Sequence, residues 1–385
     1  MSLIYMDNSA TTKPCDKAVD AMVTSLRMDY FNPSALYRQA LQAEKILKNT
    51  SQQFASLLGT VDKQIIFTSG GTESDNLAVF GNLQKVHGHG EVLYSAAEHA
   101  AVKNACLEAQ NRFPVTAREI PLTGNGLIDL EALASMLNAE TRLICVMHVC
   151  NETGVIMPLE QICALRDRLA PKAAIHVDGV QSFLRVPFSF RKYAVQSYAL
   201  SGHKIHAPKG IGVLALREGY TIHEQIVGGG QQRDMRSGTE NTCGIAALSA
   251  AVSAYPADGS ERMLQVKQVL VASLEKLCPN TRIIGIKPGE EGCSPHVLSV
   301  AFPPVRAETL LHALEGRDII VGTGSACSSK KGKRSAVLNA MKLPNEIMDG
   351  AIRISLCPSN TIEEAETVAE EIANQVHFLG RFARR

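Results

Sequence analysis

Features that mark several common classes of protein are missing from this sequence of 385 residues. Its 39 Lys and Arg nearly balance 38 Asp and Glu, so it lacks the basic excess typical of nucleic-acid-binding proteins. No apolar run reaches the roughly 18–20 residues that a membrane-spanning helix needs. A charged fraction of 20% with 45% hydrophobic residues excludes disorder over most of the chain. We therefore expect neither membrane association nor direct nucleic-acid binding.

The ten cysteines show no metal-binding or disulfide pattern. No pair has the C-x-x-C spacing typical of zinc ribbons and thioredoxin-like motifs. Near the N-terminus, Asp7 and Asn8 stand where a secretory signal peptide would need an apolar core. We expect a cytoplasmic protein that has no resident metal and in which most cysteines are small buried residues.

Strand-length apolar runs alternate with helical periodicity through the first two thirds of the chain. This alternation predicts a mostly parallel sheet that helices cover on both faces. Near residues 254–260 the pattern changes, and it predicts a second, smaller α+β domain up to the C-terminus. The predicted strands of the first part are 65–67, 91–94, 143–148, 174–177, 197–200 and 212–216.

A glycine turn follows the first of these strands. Gly70 and Gly71 allow the backbone to approach a ligand closely, and Thr72 begins a predicted helix. A helix N-terminus behind such a turn binds phosphate through its free N–H groups. An ordinary strand–helix turn is the alternative. The segment matches neither Walker A nor G-x-G-x-x-G, so it does not indicate a nucleotide site.

Asp178 and Gln181 follow the apolar strand 174–177. Ligands of open α/β sheets bind at the carboxyl ends of strands. An aspartate at such a place either caps a turn or pairs with a cationic ring nitrogen of a cofactor. The residues alone leave both possibilities open.

A second polar group follows the strand 197–200. Lys204 lies between an apolar run and Ile205, where partial desolvation would lower its pKa and make it a Schiff-base nucleophile. Ser201 and His203 beside it suit an anion site. The alternatives are a surface lysine with a buried stem and a core histidine.

Two glycine-rich segments are candidates for function. Segment 228–241 is either a flexible linker or a phosphate or carboxylate contact that includes Thr239. Segment 321–335 is rich in glycine, serine and lysine, which predicts an exposed, mobile, electropositive loop around Cys327. Nearby cations favour the nucleophilic thiolate. The alternative is a solvated charged loop with an incidental cysteine.

Together these segments resemble the cysteine desulfurases, which are pyridoxal-phosphate (PLP) enzymes of aminotransferase class V. The resemblance covers essentially the whole chain, and its specificity comes from ten motifs in the same order. These motifs are 5–12, 32–34, 68–74, 98–99, 148–154, 176–182, 201–204, 236–241, 324–327 and 352–355.

The resemblance implies a fold and a cofactor. The fold would be the α/β type I fold of PLP-dependent transferases, with a mostly parallel seven-stranded central sheet in a large domain, 13–255. A smaller α+β domain, 1–12 and 256–385, would carry the catalytic cysteine loop. The cofactor would be pyridoxal 5′-phosphate, bound in a homodimer.

The resemblance also implies residue roles. Lys204 would hold the cofactor as a Schiff base and remove the α-proton, and His99 would lie over the ring and move protons. The phosphate would be bound by Gly71, Thr72, Ser201, His203 and, from the other subunit of the dimer, Thr239. The ring would be bound by Asp178 and Gln181, and the substrate carboxylate by Asn151, which also faces the cofactor, and Arg353.

The implied reaction converts L-cysteine to L-alanine and leaves a persulfide on Cys327. The sulfur would pass to a protein acceptor that serves iron–sulfur cluster assembly or tRNA thiolation, and Cys327 would transiently ligate such a cluster. Alternatives are a selenocysteine lyase, another class V aminotransferase, or a non-catalytic scaffold. The chain departs from the family pattern at Cys150, where asparagine is usual, and at Gly179, where alanine is common.

Overall fold

A computed structural model describes residues 3–84, 88–324 and 334–382. Thirteen strands are numbered here in chain order over these residues. They are β1 Ile4–Tyr5, β2 Ile65–Thr68, β3 Gly90–Ser95, β4 Val115–Ile120, β5 Thr141–Met147, β6 Ala174–Asp178, β7 Ser197–Ser201, β8 Gly212–Leu216, β9 Arg282–Ile284, β10 Val297–Ala301, β11 Ile319–Ile320, β12 Gly322–Thr323 and β13 Ala351–Ser355.

Helices occupy most of the connections between these strands. They are α1 Asp16–Met28, α2 Ala40–Leu58, α3 Gly71–Leu83, α4 Ala100–Arg112, α5 Leu130–Met136, α6 Leu159–Leu169, α7 Thr242–Ala254, α8 Gly259–Leu277, α9 Ala307–Glu315, α10 Ala336–Ala340, α11 Asn345–Gly350 and α12 Ile362–Gly380. Short 3-10 turns at Asp62–Gln64 and Gly202–Lys204 precede β2 and follow β7.

The central sheet has seven strands in the order β2-β8-β7-β6-β5-β3-β4. Strands β3 to β7 pair in parallel, whereas β8 runs antiparallel to both β2 and β7. Every residue of β6, β7 and β8 is buried, as expected for strands that helices cover on both faces. The predicted α/β fold with a mostly parallel seven-stranded sheet is confirmed.

A smaller sheet of four antiparallel strands has the order β12-β13-β10-β9. Helices α8, α9 and α12 supply the apolar side chains buried against it, and Ile4 and Met6 from the N-terminus join this cluster. The N-terminal strand β1 pairs in parallel with β11. The division into domains at residues 12/13 and 255/256 stays a prediction.

The six strands predicted in the first part of the chain are present, one with the predicted bounds and the others with bounds that differ by one or two residues. The seventh, β4, was not predicted because its sequence Val-Thr-Ala-Arg-Glu-Ile is largely polar. It lies at the edge of the sheet, where its four central residues are partly or fully exposed. Of the described helices, none combines the length and apolar composition that a bilayer crossing requires.

Gly179, where alanine is common in the resembled family, lies directly against the buried ring of Tyr198. A Cβ at this position would lie 1.9 Å from Tyr198 Cζ. The ring is held there because the Tyr198 hydroxyl and the Ser182 hydroxyl lie 2.7 Å apart and share a hydrogen bond. Glycine at 179 is therefore matched to tyrosine at 198.

We expect Gly179→Ala to lower the free energy of unfolding by about 1–3 kcal/mol, since the added methyl group overpacks the core. Replacing the ring by a smaller side chain opens space, so Gly179→Ala should cost less in a Tyr198→Leu background. Chemical denaturation of the four proteins measures both effects. Strictly additive losses in the double variant would contradict the matched packing.

Candidate active site

One cavity of about 440 Å³ opens beside the carboxyl ends of the central strands. Ten of the twelve site residues predicted from the sequence line it together. These ten are Gly71, Thr72, His99, Asn151, Asp178, Gln181, Ser201, His203, Lys204 and Arg353. Thr239 does not line the cavity, and Cys327 lies outside the described residues. Strand ends of an open α/β sheet are the usual place for a ligand.

Lys204 ends the 3-10 turn that follows β7, and its amine points into this cavity. Nζ donates hydrogen bonds to the backbone carbonyls of Ser9 and Ala10, the second at 2.8 Å. Burial, and then the positive charges of Arg353 and Arg185, lower the pKa of Lys204 to about 7. A lysine amine in this state is uncharged over much of the neutral range and is a nucleophile.

The N-terminal segment crosses from the small sheet to the lysine turn. Ser9 N–H donates to Ser355 Oγ at 2.8 Å, and Thr12 N–H donates to the carbonyl of His203 at 2.9 Å. The segment thereby closes one side of the cavity and supplies the carbonyls that hold Lys204. The sequence analysis assigned no role to these residues, because a backbone carbonyl can accept a hydrogen bond whatever the residue type.

An anion cradle lies at the start of α3. No side chain caps this helix at Gly70, and its first two residues line the cavity together with Ser201 and His203. A Cβ on Gly71 would lie 2.7 Å from Val180 Cγ2, so glycine allows this close approach. His203 is held through its Nδ1, 3.1 Å from the hydroxyl of Thr11. The arrangement suits a phosphate.

Asp178 ends β6 inside a group of buried carboxyls. Burial, followed by the neighbouring Asp75 carboxyl, raises the pKa of Asp178 to about 7. Burial also raises the pKa values of Asp75 and Glu98 well above their usual range. Asp75 Oδ1 lies 3.2 Å from Nε2 of the neutral, buried His176, whose pKa burial lowers to about 4. A cation placed beside Asp178 would favour its ionised form.

His99 and Gln181 present defined polar atoms to the cavity. His99 is the N-cap of α4, and its Nδ1 accepts a hydrogen bond from Ala101 N–H at 3.2 Å. The ring proton of neutral His99 is therefore assigned to Nε2, which leaves that atom for proton transfer. Gln181 Nε2 donates to the Ser9 carbonyl, whereas its buried Oε1 has no partner among the described residues.

Arg353 on β13 is buried and oriented by two partners. Its Nη2 donates to Asp7 Oδ1 at 2.7 Å, and its Nη1 donates to the backbone carbonyl of Asn151 at 3.0 Å. Its Nε has no partner in the described part of the chain. Arg353 and Asn151 thus adjoin, and the Nε N–H of Arg353 is left for another acceptor. Asp7 was not among the predicted site residues.

The described residues on both sides of segment 325–333 reach the cavity. Gly324 lines it on one side, and Ala336 and Val337 line it on the other. Ser335 Oγ donates to Glu152 Oε2 at 2.6 Å, which ties the second side to a residue that itself lines the cavity. Glu152, like Glu98 and Asp75, is a cavity residue that the sequence analysis did not select.

Thr239 and Cys150, which the sequence analysis singled out, do not line the cavity. Thr239 is exposed, and its segment is joined to the first turn of α3 by an ion pair between Arg236 Nε and Glu73 Oε1 at 2.7 Å. Cys150 is fully buried, and burial raises the pKa of its thiol. A thiol in that state is not a reactive one.

The described geometry agrees with comparisons to known proteins. A family model described as aminotransferase class-V matches residues 4–368. A cysteine desulfurase NifS from Azotobacter vinelandii is 34% identical over 388 residues, covering 97% of this chain and 92% of that protein. A NifS/IcsS protein homolog from Lactobacillus delbrueckii subsp. bulgaricus is 36% identical over 370 residues, 94% of each chain.

Solved structures give the same result. One described as a NifS-like protein has a TM-score of 0.88 and 32% identity, and the match covers 98% of this chain and 100% of that one. Another, described as SspA in complex with cysteine, has a TM-score of 0.79 and 28% identity, with 92% and 99% covered. The chain therefore belongs to the class-V aminotransferase family, in its NifS-like cysteine desulfurase group. Enzymes of this family depend on PLP.

Proposed function

We propose that this cavity binds PLP and L-cysteine, releases L-alanine and passes the sulfur to Cys327. One observation carries the proposal. The buried amine of Lys204, with its pKa lowered to about 7, lines the same cavity as Gly324 and Ala336, which lie on either side of the segment that contains Cys327. The Lys204 amine and the described residues on both sides of the Cys327 segment thus share one cavity, which supports the proposal.

The residues present suit PLP. The uncapped start of α3 and its neighbours, Ser201 and His203, form a cradle for the phosphate. Asp178 would pair with the cationic ring nitrogen, and the unpartnered Gln181 Oε1 would take a hydrogen bond from the cofactor's phenol group. When bound, PLP supplies an electron sink that weakens bonds at the substrate's α-carbon.

The chain's own side chains would bind the substrate carboxylate and transfer the protons. Arg353, with a free Nε and an adjoining Asn151, would hold the substrate carboxylate. Lys204 Nζ takes the proton from the α-carbon, and His99 Nε2 moves protons on the other side of the site. Neutral Lys204 is the form that can accept a proton, which is why its low pKa matters.

Sulfur transfer is assigned to the thiolate of Cys327. Its sulfur forms a bond to the substrate sulfur as the carbon–sulfur bond breaks, and the electrons of that bond stay with the carbon fragment. Protonation of that fragment gives alanine, and Cys327 keeps the persulfide. Cys327 is three residues from Gly324, a length of chain that spans at most about 11 Å.

The proposal extends to partners. Thr239 of the partner subunit would complete the phosphate cradle in a homodimer, since the Thr239 of this chain is exposed and does not line its own cavity. A protein that serves iron–sulfur cluster assembly or tRNA thiolation would receive the sulfur. Analytical ultracentrifugation, and persulfide transfer to candidate acceptors, test these two extensions.

Product analysis tests the reaction against its alternatives. With L-cysteine as substrate the protein should release alanine and reducible sulfur. Release of 3-mercaptopyruvate, the keto acid of cysteine, in place of alanine would indicate an aminotransferase. Turnover of selenocysteine with none of cysteine would indicate a selenocysteine lyase, and a purified protein that binds no PLP would indicate a non-catalytic scaffold.

The low pKa of Lys204 predicts how cofactor uptake depends on pH. The unprotonated amine reacts with the cofactor, so the rate of uptake should rise with pH and level off above about 7. An ordinary lysine, with a pKa of about 10.4, would give a rate that climbs to about pH 10. Visible absorbance, followed after mixing stripped protein with PLP over a range of pH, measures this. An uptake rate that keeps rising to about pH 10 would contradict the assignment of Lys204 as the amine that reacts with PLP.

A further inference from the structure

Arg185 forms hydrogen bonds to the backbones of two residues that line the cavity, Gln181 and Lys204. Its Nη1 donates to the backbone carbonyl of Gln181 at 3.2 Å, and its Nη2 donates to the backbone carbonyl of Lys204. Its own carbonyl accepts a hydrogen bond from Ser260 Oγ at 2.9 Å. Arg185 does not line the cavity, so any effect on the reaction passes through Gln181 and Lys204.

The charge of Arg185 has no carboxylate partner among the described residues. The residue is 3% exposed, and in the described ranges no Asp or Glu forms an ion pair with it. Its neighbours include Tyr255 and the neutral, buried His296, and its Nε meets no hydrogen-bond acceptor within residues 3–84, 88–324 and 334–382. A buried charge without an ionic partner lowers the stability of the folded protein. We therefore expect Arg185 to have a function that offsets this loss of stability.

Arg166 shows how this chain otherwise buries an arginine. It is 4% exposed, and its Nη1 donates to the backbone carbonyl of Ala173 at 2.7 Å. Unlike Arg185, it also has an anionic partner, since its Nε lies 2.7 Å from Asp167 Oδ1. Arg166 does not line the cavity, and it is therefore a matched control for the general effect of removing a buried guanidinium.

Four charged groups act on the Lys204 amine. Arg353 and Arg185 favour its neutral form, whereas Asp7 and Asp178 favour its charged form. Asp7 is already paired with Arg353, at 2.7 Å. Asp178 is a buried carboxyl whose pKa is raised to about 7, so it carries only part of a charge near neutral pH. Of the two arginines that act on the amine, Arg185 is then the one that forms no ion pair with a carboxylate in the described part of the chain.

We propose that Arg185 is a positioning residue of this site, whose guanidinium fixes the backbone of Lys204 to that of Gln181 and whose charge opposes a positive charge on the Lys204 amine. The proposal rests on the proposed function, in which Lys204 reacts with PLP. It predicts two separable consequences, one that follows the charge and one that follows the two hydrogen bonds. Arg185→Met removes both, and Arg185→Lys keeps the charge but loses the planar fork.

The test is the pH midpoint of PLP uptake by the stripped, full-length chain, read from visible absorbance. Arg185→Met should raise this midpoint by about one pH unit, since a nearby like charge is removed. Arg185→Lys should leave the midpoint near that of the wild type while releasing the cofactor faster. Arg166→Met should lower thermal stability but leave the midpoint where it was.

The outcomes separate this proposal from the function it rests on. An unshifted midpoint in Arg185→Met, or an equal shift in Arg166→Met, overturns the proposal while the function stands. If Arg185→Met does not fold, Arg185→Lys tests the proposal instead. A wild-type midpoint together with wild-type cofactor release in Arg185→Lys would overturn the role of the two hydrogen bonds to Gln181 and Lys204. Absence of any PLP adduct in the wild-type protein overturns the function and this proposal with it.

Discussion

The Lys204→Ala variant is expected to fold and to lose both covalent attachment of PLP and measurable turnover. The amine is the only group that the proposal uses for both purposes, and loss of a proton-transfer group alone costs about 10²–10⁴-fold in rate. Loss of the covalent bond to the cofactor adds to this. Visible absorbance of the loaded protein and the rate of alanine release from L-cysteine measure the two effects.

A nearby lysine provides the control. Lys209 lies five residues further along the chain and is exposed, so Lys209→Ala should keep both the absorbance and the rate. Circular dichroism establishes whether each variant is folded. A Lys204→Ala protein that still bound PLP covalently would show that another amine carries the cofactor, and the assignment of the cavity would be wrong.

The second large effect is expected from Cys327→Ser. This variant should bind PLP and L-cysteine normally, yet form no persulfide, because a serine hydroxyl is not ionised at neutral pH as a thiol in a cationic setting is. Turnover should fall by well over about 100-fold, given that loss of an enzymatic nucleophile costs up to about 10⁶-fold. Alanine release and the mass of the protein after reaction measure the loss.

Here the control is another thiol. Cys243 lies at the start of α7 and is partly exposed, and its side chain contacts Asn241 Oδ1 at 3.1 Å. Cys243→Ser should retain persulfide formation at the wild-type rate. Full desulfurase activity of Cys327→Ser in the presence of a thiol reductant would remove Cys327 from the reaction.

The strands that the sequence predicted are those that the fold buries on both faces. Residues 174–178 and 212–216 read as short apolar runs because helices cover both of their sides. Strand β4 carries Arg118 and Glu119 because one of its edges has no neighbour, so its sequence resembles a loop. An apolar pattern in the sequence indicates which residues are buried, so it predicts a strand only where that strand is buried.

The residues of the candidate site also divide into those that the sequence indicated and those that it did not. Side chains that act through their own chemistry, such as Lys204 and Asp178, stand beside apolar strands and were selected. Ser9 and Ala10 act through backbone carbonyls, and Arg185 acts through contacts with other residues' backbones, so neither their identity nor their spacing indicated a role. Those contributions depend on segments far apart in the chain, and only the folded arrangement brings them together.

One measurement tests the central claim most directly. The PLP-loaded protein is mixed with one equivalent of L-cysteine, and both alanine and the peptide that contains Cys327 are quantified by mass spectrometry. The account predicts one alanine per chain and one additional sulfur atom on that peptide. Alanine formed while the extra sulfur is found on a different cysteine, or on none, would contradict it.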